Sequence, residues 1–216
     1  MVNNLKDFQK LASNSFFPVS DGIETEPNEF PWMVNVNDMC GGSLISDEWV
    51  LTAAHCVYGE AAWNSVELGQ HDKKTGAMRQ AIERVIIHQD YNEGTANNDI
   101  ALLQLRNPVD FNRVPNVGKI CLPSKRAGTF ARSKAIVAGW GMTGIKSSGS
   151  DTLQKSNIKV ISNKKCRNYG GIFRVFLTST MVCTVPRRGD THYKGVCRGD
   201  SGIQQFIFFQ PHLNYN

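Results

Sequence analysis

The chain has 216 residues, of which 41% are hydrophobic and 20% are charged. This length can bury one or two full cores, and the composition excludes a disordered, collagen-like or coiled-coil protein. Its net charge of +5 comes from scattered pairs of basic residues rather than from one basic block, which argues against a nucleic-acid partner.

Short β-type runs follow one another along the chain, separated by Gly, Asn, Asp and Pro. No segment has a sustained helical period, so the pattern predicts an all-β protein, either a barrel or a sandwich. Residues 1–18 carry little pattern and are interpreted as a polar lead-in. In chain order the predicted strands are Trp32–Val36, Ser43–Ile45, Trp49–Thr52, Ser65–Leu68, Arg84–Ile87, Ile100–Leu105, Ala135–Ala138 and Ile158–Ile161.

The cysteines and the N-terminus indicate different compartments. The six cysteines are widely spaced, with no CxxC pair and no zinc-like cluster, which is typical of disulfides in a secreted protein. The opening residues, however, lack the apolar centre of a signal peptide, and no run of about 18 apolar residues could span a membrane. We therefore expect an extracellular protein whose N-terminus has been cut or misassigned, with no membrane partner.

Three short segments carry residues that suggest catalysis. The run WVLTAAHC ends a predicted strand and presents His55, NDIALL places Asp99 at the head of a strand, and GDSG places Ser201 between glycines. Each has an ordinary structural explanation when taken alone, since an aspartate before a strand is often a turn residue and glycines allow tight turns. The other four histidines, His71, His88, His192 and His212, are interpreted as structural or exposed.

Together the three segments resemble the chymotrypsin/trypsin family of serine proteases. His55, Asp99 and Ser201 stand in the family's order, 44 and 102 residues apart, within unchanged TAAHC, DIAL and GDSG motifs. The flanking segments FPWMV, CGGSLIS, ICLP, GWG and MVC extend the likeness from about residue 19 to residue 202. Chance agreement of several motifs in one order is improbable.

The resemblance implies an all-β fold of two six-stranded antiparallel Greek-key barrels, the second incomplete at its C-terminus. We expect a lead-in or pro-segment remnant at 1–18 and a protease domain at 19–216. Within that domain the N-terminal barrel would cover about 19–115 and the C-terminal barrel about 116–216. The chain would be a secreted zymogen that needs no metal or cofactor, with polypeptide substrates and protein protease inhibitors as partners.

The resemblance also assigns catalytic roles. His55 would act as general base and then general acid for the Ser201 hydroxyl, and Asp99 would orient the imidazole and stabilise its charged form. The backbone N–H groups of Gly199 and Ser201 would form the oxyanion hole, where losing one donor costs on the order of 10²- to 10³-fold in rate. Asp200 would pair with the new amino terminus that activation releases.

The family's disulfide pattern accounts for four of the cysteines. It pairs Cys40 with Cys56, and Cys166 with Cys183. Cys121 would tether a pro-segment or light chain, but no cysteine precedes Cys40, and none follows Cys197. We expect both Cys121 and Cys197 to be unpaired.

The sequence departs from the family at both ends. After Gly202 the chain lacks the family's GGP and SWG segments, and its tail Phe206–Phe209 would either cover the open edge of the second barrel or aggregate. We interpret the tail as a splice form or a gene-model error. At the activation site, Pro18 precedes Val19, a cleavage position that a trypsin-like activator would not accept.

The same resemblance assigns residues to the specificity pocket and to the loop that binds calcium in some relatives. Gly195 lies at the pocket floor and Val196 follows it, so we expect an uncharged side chain there. Gln70 stands where calcium-binding relatives have a glutamate, and we expect no calcium.

Two functions remain open at this point. The complete triad favours a serine endopeptidase, whereas the missing pocket wall and the altered activation site favour a non-catalytic homologue that binds inhibitors or larger proteases.

Overall fold

The strands and helices follow from a computed structural model of the chain, which describes residues 22–59, 64–124, 127–141, 149–169 and 177–186 and the backbone of 208–209. Within these residues there is one short helix, α1, at Asn163–Arg167, and one 3₁₀ turn at Ala54–Cys56. The strands are β1 Ile23–Glu24, β2 Met33–Val36, β3 Cys40–Leu44, β4 Trp49–Thr52, β5 Ser65–Leu68, β6 Met78–Ile87, β7 Ala101–Leu105, β8 Lys134–Gly139, β9 Gln154–Ile161, β10 Cys183–Pro186 and β11 Phe208–Phe209.

Six strands close into an antiparallel barrel in the order β2–β3–β4–β7–β6–β5. Strand β7 illustrates the sequence pattern that lets the barrel close around an apolar interior. Its side chains alternate between buried and half-buried, and Ala101, Leu103 and Leu105 face the core. Residues two apart on a strand share one face, so this alternation supplies an apolar inner surface. Gly42 on β3 is needed at its position, since an added Cβ would lie 2.9 Å from Val50 Cγ1 and 3.0 Å from Leu51 O.

The second half forms a five-stranded antiparallel sheet. Strand β9 is its centre and pairs with β8 on one side and with β1 and β10 on the other. The tail strand β11 pairs with the free edge of β8, where Phe208 lies opposite Ile136 and Phe209 opposite Ala135. Over these two residue pairs the tail covers the edge of β8, which is one of the two outcomes expected for it.

The two halves are joined by hydrogen bonds and by a shared core. The Leu153 N–H and the Trp140 indole Nε1–H both donate to the His71 carbonyl, at 2.9 and 3.0 Å. Phe30 and Met33, from the start of the first half, are buried in the core of the second half with Val137 and other residues of β8 and β9. The barrel and the sheet therefore pack as one body.

The all-β fold class is confirmed, and each of the eight predicted strands coincides with or overlaps an observed one. Strands β1 and β11 were missed because they are only two residues long, and β10 because its sequence CTVP is short and ends in a proline. Helix α1 was missed because five residues are too short to show a helical period. In the described part of the chain, no helix has the length and apolar character that crossing a membrane requires.

We expect Leu103→Ala to destabilise the barrel far more than Leu102→Ala. Leu103 is fully buried in the barrel core, whereas its neighbour Leu102 is half-buried. Deleting a buried leucine side chain typically costs about 2–5 kcal/mol of unfolding free energy. Urea denaturation of both variants would measure the difference, and equal losses would contradict the inward orientation of Leu103.

Candidate active site

His55 is presented by the end of β4. After Thr52 the chain passes through the buried residues Ala53 and Ala54 into the 3₁₀ turn, and Cys56 is held by a disulfide to Cys40 at the start of β3. The small side chains let the turn pack closely against the barrel. His55 is thus an exposed residue between two buried neighbours, and its backbone is fixed on both sides.

Asp99 is presented by the start of β7, the strand next to β4 in the barrel. Thr52 lies opposite Ala101 in this pairing, so the chain after β4 and the chain before β7 meet at one end of the barrel. Asn98 holds the turn before Asp99: its backbone is left-handed, with φ 55°, and its side-chain amide donates to Asp90 O at 2.9 Å. Asparagine tolerates this conformation better than most residues.

Two hydrogen bonds join His55 to the Asp99 carboxylate. The His55 backbone N–H donates to Asp99 Oδ1 at 2.8 Å, and His55 Nδ1 lies 2.6 Å from Asp99 Oδ2. The carboxylate therefore accepts from both the main chain and the ring of one residue, which fixes the ring orientation. It also favours the tautomer with its proton on Nδ1, leaving Nε2 as a proton acceptor.

The loop before Asp99 is also held from the second half of the molecule. Asn97 Oδ1 accepts hydrogen bonds from the hydroxyls of Thr178 and Thr180, both at 2.8 Å. The Asn163 side-chain amide of α1 donates in turn to Thr178 O at 2.8 Å and to Met181 O at 3.0 Å. The first half thus supplies His55 and Asp99, and the second half supports the turn that carries Asp99.

The structure describes some of the other residues to which the sequence assigned a role. Cys166 is bonded to Cys183, as the family pattern implied, and Cys121 is exposed and has no disulfide in the described part of the chain. The others lie outside the described residues: Gly195, Val196, Cys197, Gly199, Asp200 and Ser201.

Comparison with known proteins assigns the family. The trypsin family model matches residues 19–202. The chain belongs to the trypsin family. Bovine coagulation factor XI is 31% identical over 84% of this chain, and a bovine suppressor of tumorigenicity 14 protein homolog and mouse transmembrane protease serine 11C are each 34% identical over 85% of it. The matches cover 30%, 22% and 42% of the lengths of these three relatives.

The potential metal ligands near His55 and the side chain of Gln70 both make contacts with other protein atoms. Cys40, His55 and Cys56 form the only group of three potential metal ligands among the described residues, but the two sulfurs are bonded to each other. The buried Gln70 accepts from the Asn35 amide at 2.6 Å and donates to Glu67 at 2.8 Å. The Gln70 side chain therefore connects β2 with β5.

The three residues of the Asn97 contact lie outside the motifs singled out in the sequence. Asn97 stands two residues before Asp99, directly before the NDIALL segment, where a polar residue indicates a turn. Its partners Thr178 and Thr180 are about 80 residues later, a pairing that requires the fold.

Tyr91 packs beside the histidine–aspartate pair. Its ring makes an edge-to-face contact with Tyr58, with centroids 5.3 Å apart. Partial burial, and then the negative charge of Asp99, raise the pKa of Tyr91 to about 12. The neutral phenol is therefore the stable form beside Asp99.

We expect removal of the two threonine hydroxyls to loosen the contact between Asp99 and the His55 backbone. In Thr178→Val/Thr180→Val the backbone amide hydrogen of His55 should exchange with solvent about tenfold faster. This change corresponds to the net free energy of one or two hydrogen bonds. Hydrogen–deuterium exchange measures this directly. The matched variant Thr178→Ser/Thr180→Ser keeps both hydroxyls and should exchange like the parent chain; equal exchange in all three proteins would contradict the role of Asn97.

We expect a fall in stability at alkaline pH that Tyr91→Phe reduces. The pKa of Tyr91 is raised from 10.0 to about 12 in the folded chain, so between these values the unfolded chain releases the phenol proton first. The free energy of unfolding therefore decreases as pH rises through that window and is unaffected below it. Chemical denaturation of both proteins at a series of pH values tests this; identical curves above pH 10 would contradict it.

Proposed function

We propose that this chain is a serine endopeptidase that cleaves peptide bonds through an acyl-enzyme. The observation that carries the proposal is the doubly hydrogen-bonded His55–Asp99 pair at the end of a closed barrel, in a member of the trypsin family. The protease domain extends over residues 19–216, with its barrels at about 19–115 and 116–216, and the nucleophile is Ser201.

The first half of the reaction forms the acyl-enzyme. Ser201 Oγ attacks the carbonyl carbon of the peptide bond while its proton passes to His55 Nε2. Asp99 stabilises the resulting imidazolium, and the backbone N–H groups of Gly199 and Ser201 donate to the oxyanion. The carbon–nitrogen bond then breaks, and His55 gives its proton to the leaving amine.

The second half releases the product. His55 removes a proton from a water molecule, whose oxygen attacks the acyl carbon, and the ester bond to Ser201 breaks as the serine recovers its proton. The triad needs no metal ion. Substrates are polypeptides, and the uncharged residues Gly195 and Val196 favour an uncharged side chain before the cleaved bond.

Location and regulation follow from the disulfides and from the family. Two disulfides in the described chain, Cys40–Cys56 and Cys166–Cys183, require an oxidising compartment to persist. The protein therefore acts outside the cell, made as a zymogen and controlled by protein inhibitors. Asp200 receives the amino terminus of the activated form, and the exposed Cys121 is available to tether a pro-segment or light chain.

Covalent labelling with a fluorophosphonate probe tests this function without a known substrate. We expect the folded chain that begins at Val19, the amino terminus of the activated form, to be labelled on Ser201, because the reaction requires the nucleophile and its base together. Ser201→Ala and His55→Ala should abolish labelling. In Asp99→Asn, labelling should slow by about 10⁴-fold, since the imidazole adopts the wrong tautomer.

The controls separate a folding failure from a missing activity. Circular dichroism and urea denaturation should be the same for the parent chain and the three variants. If the folded chain that begins at Val19 is not labelled, the protein is not an enzyme, and its function would be that of a binding homologue.

A further inference from the structure

The charge of the chain is divided very unevenly between its two halves. Residues 1–115 contain 16 acidic and 8 basic side chains, whereas residues 116–216 contain 3 acidic and 16 basic ones. The net charge is therefore −8 for the first half and +13 for the second, and the two sum to +5. A charge separation of this size creates a positive field around the second half that attracts anions.

Part of this charge lies on one surface around the C-terminal end of β9. Lys134 and Lys159 are directly opposite each other on β8 and β9, and α1 begins two residues after β9 ends. The Arg132 backbone N–H donates to Val160 O at 2.8 Å, which holds this arginine beside the same end. The basic surface consists of six exposed residues: Arg132, Lys134, Lys159, Lys164, Lys165 and Arg167.

The basic surface has no acidic partner in the described part of the chain. The one acidic residue that the structure describes in the second half, Asp151, forms an ion pair with Lys74 of the first half. Like charges directly opposite on neighbouring strands destabilise a sheet. The pair Lys134–Lys159 therefore costs stability that an external anion would restore.

We propose that the basic surface binds a sulfated polysaccharide. The run Lys164-Lys165-Cys166-Arg167 supplies three positive charges within four residues, a density typical of polyanion-binding patches. Four of the six residues are lysines, which bind oxyanions as point charges without a fixed geometry, and this suits the variably placed sulfate groups of a flexible sugar chain. The disulfides indicate an extracellular protein, where sulfated polysaccharides rather than nucleic acids are the abundant polyanions.

The basic surface borders the loop that supports the candidate active site. Arg167 Nη2 donates to Leu177 O at 2.9 Å, next to Thr178, which contacts Asn97. Neither His55 nor Asp99 belongs to the surface. A bound polysaccharide would retain the protein at a matrix or cell surface while leaving the histidine–aspartate pair open.

Binding of heparin, as a sulfated polysaccharide, to the full chain tests the proposal independently of catalysis. The variant Lys159→Gln/Lys164→Gln/Lys165→Gln removes three exposed charges of the basic surface. Its matched control, Lys73→Gln/Lys74→Gln/Arg79→Gln, removes three from the first half. By calorimetry at 0.15 M salt we expect the Kd for heparin to rise at least about tenfold in the first variant and about twofold or less in the control.

Three results would overturn the proposal. One is an equal rise of the Kd for heparin in the two triple variants, which would mean that heparin binding depends only on the net charge of the chain. Another is unchanged binding of desulfated heparin, which would exclude sulfate recognition. The third is tighter binding of duplex DNA or of phosphatidylserine vesicles than of heparin at the same salt, which would assign the surface to nucleic acid or membrane. Urea denaturation of both triple variants shows that each is folded.

Discussion

The hydrogen bonds between Asp99 and His55 depend on the pairing of β4 with β7. Both residues lie just outside the paired segments, at the same end of the barrel. Closure of the barrel fixes these strands relative to each other, so a buried apolar core around Leu103 is what places a carboxylate 2.6 Å from an imidazole nitrogen. The Cys40–Cys56 disulfide and the small residues after β4 then hold the His55 backbone, and the left-handed Asn98 aims Asp99 towards it.

The second half contributes support rather than either member of this pair. Its loop at Thr178 and Thr180 contacts Asn97, and the Cys166–Cys183 disulfide joins α1 to β10 behind that loop. The same half supplies the excess positive charge. One set of residues around α1 thus serves two purposes, since Asn163 supports the threonine loop while its neighbours Lys164 and Lys165 face solvent.

Much of the fold could be predicted from the sequence, because alternating apolar residues between turn residues report strands directly. The resemblance of the TAAHC and DIAL motifs to those of the trypsin family likewise implied that His55 and Asp99 belong together. Contacts between distant segments could not be predicted: Asn97 with Thr178, and β11 with β8, arise only from packing. The uneven charge is not evident from the local pairs of basic residues, because the excess appears only in the sum over each half of the chain.

The tautomer of His55 tests the central claim, that the barrel positions Asp99 to hold the Nδ1 proton and leave Nε2 free to accept one. Nitrogen-15 NMR of the labelled chain, at a pH where the imidazole is neutral, distinguishes the two ring nitrogens. We predict the proton on Nδ1, with a strongly deshielded resonance that Asp99→Asn abolishes. A proton on Nε2, or a resonance unaffected by Asp99→Asn, would contradict the account, because the pair could then not serve as the base of a triad.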